Sequence, residues 1–119
     1  MIKLIKIILG ISLVFFGQSA FACDYPQRVL IPSGNTATKE QMIAGQAGVK
    51  KYVADMEIYL ACIQEEEKSS REAMTDLQPE DEQEREDALN KKYNAAVDEM
   101  ERVAAQFNAE VQAYRAQSQ

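Results

Sequence analysis

The chain has 119 residues, no histidine, no tryptophan, two cysteines, a net charge of −6 and a pI near 4.7. All 19 acidic residues and 11 of the 13 basic ones follow residue 22, so residues 23–119 carry −8 and suit neither nucleic acid nor an anionic membrane surface. Lack of histidine removes the usual general base near neutral pH and the commonest metal ligand, and this length holds one small domain.

Residues 1–22 read as a signal peptide: Lys3 and Lys6 precede an apolar run from Ile7 to Phe16, and Ala20-Phe21-Ala22 supplies a cleavage site. The run is about half of what a transmembrane helix needs, so the mature chain is expected to have no transmembrane span and to be periplasmic or secreted. Cleavage after Ala22 makes Cys23 the first mature residue. Two readings of Cys23 follow. An even cysteine count in an oxidising compartment points to a Cys23–Cys62 disulfide. A lipid anchor at Cys23 is the alternative, although Ala20 and the bulky Phe21 depart from the leucine and small residue that lipoprotein processing usually wants. Acylation would leave Cys62 as a lone thiol.

Residues 23–37 form an extended N-terminal strap, because Pro26 and Pro32 forbid a regular helix and push their predecessors towards extended geometry. Val29-Leu30-Ile31 is its apolar cluster, and Ser33-Gly34-Asn35 has the chemistry of a turn. Thr38 followed by Gln41 fits a capping box and predicts a helix over 39–74. Met42, Val49, Tyr52, Val53, Met56, Tyr59, Leu60 and Ile63 recur at three- and four-residue intervals along it. Thr38 to Cys62 is about 36 Å of helix, and the strap can reach about 50 Å when extended. The disulfide therefore closes only if the strap runs antiparallel along the helix, which places Val29, Leu30 and Ile31 near Val49 to Met56 as a third layer.

From Glu65 to Asp87 the composition turns acidic: eleven Asp and Glu stand against Lys68, Arg71 and Arg85. An acidic turn over 75–78 and Pro79 at the start of a second helix, 79–116, follow from the proline and from Glu80, Asp81 and Glu82 at the positive end of its dipole. Leu89, Tyr93, Ala96, Val97, Met100, Val103, Ala104, Phe107, Val111 and Tyr114 form the second apolar stripe. Folding the chain about residue 76 sets Ile63 opposite Leu89, Met56 opposite Ala96 and Val49 opposite Val103. The fold expected is all-α: an antiparallel two-helix hairpin, residues 38–119, under an extended strap. Gly45 and Gly48 flank the seam and offer Phe107 a close approach. Near-heptad spacing also suits a coiled-coil-like dimer of four helices.

Candidate sites are few. Glu65, Glu66, Glu67, Glu80, Asp81 and Glu82 form a candidate interaction tip, but without the spacing of a calcium loop. Met42, Met56 and Met100 lie on the core stripes, where filling the core competes with soft-metal ligation. Tyr52, Tyr59, Tyr93 and Tyr114 would give the hairpin an aromatic-rich face. No phosphate loop, serine elbow, histidine pair or Cys-x-x-Cys motif occurs, so the sequence points to no enzyme, no cofactor and no metal.

Ala22-Cys23, Tyr25-Pro26, Ile31-Pro32-Ser33-Gly34, Val49-Lys50-Lys51-Tyr52, Met56-Glu57, Tyr59-Leu60-Ala61-Cys62, Tyr93-Asn94 and Phe107-Asn108 together resemble small exported helical proteins of Gram-negative bacteria. The resemblance implies a periplasmic or secreted location and no assigned activity. In outline alone the hairpin is also similar to helical periplasmic chaperones. The expectation is an exported interaction or structural protein that binds a protein partner or itself, with a client-binding chaperone as the alternative.

Overall fold

In the computed structural model, which describes residues 23–118, two long helices pair as a hairpin: α1 (Lys39–Glu72) and α2 (Pro79–Gln117). The reading of residues 1–22 as a signal peptide lies outside the described residues. Thr38 caps α1 as its sequence predicts: the hydroxyl accepts from the Gln41 amide at 3.2 Å, and the Gln41 side chain accepts from the Thr38 amide at 2.8 Å. The chain enters that cap through a tight turn in which the Ala37 amide donates to the Ser33 carbonyl at 2.8 Å.

α1 ends at Glu72, two residues short of the stretch expected, and the reversal takes 73–78. The Ala73 and Met74 amides close the last turn on the Ser69 and Arg71 carbonyls. Gln78, ahead of Pro79, is extended with ψ near 153°, as a residue before proline prefers. The loop needs these residues to leave one helix and enter the other. α2 begins with Pro79 in its first turn, beside Glu80, Asp81 and Glu82.

The register is that of a chain folded about residue 76. At the loop end Glu67 pairs with Arg85, and at the far end Gly45 packs on Phe107. Between them Met56, Ala96 and Val103 are sealed from solvent, with Met42, Val49, Tyr52, Leu60, Ile63 and Phe107 around them. Among the described residues no buried side-chain nitrogen or oxygen is left without a hydrogen-bond partner, and Tyr52 is the buried residue of the seam that brings a hydroxyl into it.

The strap closes one side of the hairpin. It starts at the Cys23–Cys62 disulfide, where the Cα atoms are 5.7 Å apart, and runs antiparallel to α1. Tyr25 meets Tyr59 edge to face with ring centroids 5.0 Å apart, Val29 lies against Gly48, Pro32 lies on Gly45, and Gly34 reaches the backbone of α2 at Glu110 and Tyr114. The apolar cluster therefore sits further towards the start of α1 than Val49 to Met56. Leu30 leaves the layer altogether and is 91% exposed. Both departures have one cause: successive side chains of an extended arm point to opposite sides, and the arm beds down where α1 has no side chain. Gly48 thus receives the strap rather than Phe107, whereas Gly45 touches both.

Candidate interaction surfaces

At the loop end the acidic residues divide. Glu65, Glu66, Glu80, Asp81 and Glu82 are exposed. Glu67 does not belong to a displayed tip: its carboxylate accepts from the Arg71 guanidinium at 2.9 Å and from two nitrogens of Arg85 at 2.9 and 3.0 Å, and its side chain is only 18% exposed. Sequence composition put Glu67 with its neighbours, but its position on the inner face of α1, opposite Arg85, makes it a clasp between helices. Partial burial pushes its carboxyl up, and hydrogen bonds from Arg71 and Arg85 outweigh that and hold it below the usual glutamate range.

The disulfide end holds Cys23, Cys62 and the Glu66 carboxylate within 4.8 Å of one another. Both sulfurs are spent in the disulfide, so they offer neither a thiolate to a metal nor a proton to Glu66, whose oxygen lies 3.2 Å from the Cys23 Sγ as a plain contact. Met42 and Met56 are buried in the seam and Met100 is half-buried beside it.

The four tyrosines do not share a face. Tyr52 is buried, and burial first, then its neighbours Tyr25 and Glu99, push its hydroxyl up. Tyr59 stacks beneath the strap on Tyr25. Tyr93 lies five turns before Val111, and both Val111 and Tyr114 belong to the side of the hairpin without the strap. On that side a shallow groove of about 230 Å³ opens between Met42, Ile43, Phe107 and Val111. This strap-free face is what the sequence reading missed, since two apolar stripes at helical period do not say which edge of each stripe a third element covers.

No helix among the described residues is long and apolar enough to cross a membrane. No protein-family model, no curated protein and no solved structure matches the chain.

Proposed function

We propose that this chain is an exported, non-enzymatic interaction protein of the cell envelope. The observation that carries the reading is the disulfide that ties the strap to α1, a covalent staple suited to a small domain outside a reducing compartment. Two binding features accompany it: an acidic helix end open to solvent and an apolar face that the strap leaves uncovered. The staple also argues against a lipid anchor, because a sulfur in a disulfide cannot carry a thioether.

The test is the intact mass of the protein recovered from its own cell envelope, with and without reductant. A chain starting at Cys23 that gains two hydrogens on reduction supports export and the staple. Recovery of a full-length chain from the cytosol overturns export, and a mass raised by diacylglycerol and an acyl chain replaces the free protein with an anchored one. A client-binding chaperone is the second reading, favoured by the groove beside Ile43, which is 57% exposed. Suppressed aggregation of a reduced model client would support it; no suppression at a severalfold molar excess would remove it.

A further inference from the structure

We propose that Glu66 guards the Cys23–Cys62 staple: its carboxylate, set against the sulfurs, opposes the entry of a thiolate, so that small acidic thiols open the disulfide slowly. The inference concerns the chemistry of the staple and stands whichever compartment the chain occupies.

The place of Glu66 follows from the helix. It lies four residues beyond Cys62 on α1, and side chains at that spacing share a face. The strap brings Cys23 to the same spot from outside the helix. A Glu66 oxygen is 3.2 Å from the Cys23 Sγ, and it and the two sulfurs all lie within 4.8 Å of one another. Glu66 is exposed and, among the described residues, forms no ion pair, whereas its neighbour Glu67 is held by Arg71 and Arg85. The staple is reached through an open cleft of about 350 Å³ that Cys23 lines and Cys62 does not. The charged residues of that cleft are Glu66, the paired Glu67 and Arg85, and Lys92 on α2. Of these, Glu66 is the one against a sulfur.

Reduction by a small thiol begins with thiolate attack on a disulfide sulfur. Attack at the Cys23 Sγ forms a bond from it to the incoming sulfur and breaks the bond to Cys62. The electron pair leaves on the Cys62 Sγ, which takes a proton from water. A second thiolate then attacks the mixed disulfide, departs as the reagent's own disulfide and leaves Cys23 as a thiol. Two small thiols are oxidised and one protein disulfide is reduced. In the first step a negative charge enters at Cys23 and departs at Cys62, and Glu66 stands beside both. Repulsion between unit charges about 5 Å apart at a wet surface is worth about four- to tenfold in rate. In a chain that begins at Cys23, the α-ammonium adds a positive charge on that residue and Asp24 a negative one beside it, and both are the same whether or not Glu66 is replaced.

The test is the rate at which excess thiol reduces the purified, disulfide-intact protein, read from the mass of the acid-quenched and alkylated chain. Each reagent is compared with itself across variants, so its own thiol pKa and nucleophilicity cancel. Glu66→Gln should speed reduction by mercaptopropionate about fivefold, and reduction by cysteamine, whose ammonium offsets its thiolate, by less than about twofold. Glu66→Asp keeps the charge and should stay within about twofold of wild type with both reagents. Glu57→Gln removes the same charge from the same helix more than a turn before Cys62, and should also stay within about twofold. Both positions are exposed, so none of these changes disturbs the packing. The gain from Glu66→Gln should shrink in about 1 M salt, where the Debye length is about 3 Å. Equal rates for wild type and Glu66→Gln with mercaptopropionate overturn the proposal. So does an equal gain with cysteamine, which would mean a loosened strap, or an equal gain from Glu57→Gln, which would mean an effect of total charge. None of those results touches the envelope assignment, which the mass measurement decides separately.

Discussion

A Cβ placed on Gly34 would lie 1.9 Å from the Glu110 carbonyl oxygen and 2.7 Å from the Tyr114 amide nitrogen, and both are backbone atoms of a helix. Neither can move aside. The Gly34 amide also donates to the Glu110 carboxylate at 2.6 Å, so this glycine nails the strap's turn to α2. Gly34→Ala should therefore cost about 2 kcal/mol or more in urea unfolding. Gly48→Ala is the control with the other sign: its new methyl would meet the Val29 Cγ2 at 3.2 Å, while a helical alanine gains about 1 kcal/mol over glycine, and the sum should lie between neutral and that gain. Glu67 gives a pH test. A carboxyl held below its ordinary range contributes stability at neutral pH that fades as pH falls through the folded value. Thermal midpoints of the wild type and Glu67→Gln should differ at pH 7 and converge below about pH 4, the ordinary glutamate range; a constant gap would show that the glutamine fails for another reason. Comparing the two proteins cancels the relief of acidic repulsion that both feel in acid.

Much of the element scale was legible in the sequence, and the parts that were not depend on contacts distant in the chain. Thr38 with Gln41 and Pro79 after an acidic run announce the two helix starts because caps and prolines act locally. Met56 and Ala96 face each other because helical period and chain reversal set the register between them. The strap has no such period. Its two prolines fix that it is extended, but which side chain turns inwards depends on where α1 is bare, and that hangs on Gly45 and Gly48 at a distance. That is why Leu30 turns outwards against expectation, whereas Glu67 differs for another reason: in a charged run, composition hides a single inward position. The staple should dominate the strap's energetics. With its cysteines 39 positions apart in sequence, its removal by Cys62→Ser should cost about 4 kcal/mol in the chain-entropy model, measurable as a lowered urea midpoint. Met56→Ala, by contrast, empties a fully sealed position in the seam and should cost about 2–5 kcal/mol with the staple intact. Leu30→Ser, at a position already open to water, should cost nothing measurable.

At the scale of the whole molecule the chain is an electrical gradient laid along a rod. The loop end concentrates −8 in residues 65–87, whereas the remainder of residues 23–119 is balanced, with its ion pairs formed locally between Lys51 and Asp55 and between Arg102 and Glu99. Repulsion at that end is exposed to solvent and therefore to screening, with a Debye length that falls from about 30 Å to about 10 Å between 0.01 and 0.1 M salt. Thermal stability at neutral pH should rise by a few degrees over that range, and the rise should shrink when Glu80, Asp81 and Glu82 are replaced by glutamine. A flat response would mean that the Glu67 clasp and the helix dipole already offset the crowding of acids.

The staple also decides how the molecule answers to force. Because Cys23 is bonded to Cys62, a pull applied at the two ends of the described chain bypasses the strap and the first two thirds of α1 and enters the fold directly at the middle of a helix. In an optical trap the oxidised protein should therefore release only the chain beyond Cys62, roughly 200 Å of contour at about 3.6 Å per residue. The reduced protein should yield roughly 340 Å on the same scale. A tether fixed near Cys23 would be shorter and stiffer in an oxidising compartment than in a reducing one, with the strap and the start of α1 closed in a loop that no load can extend.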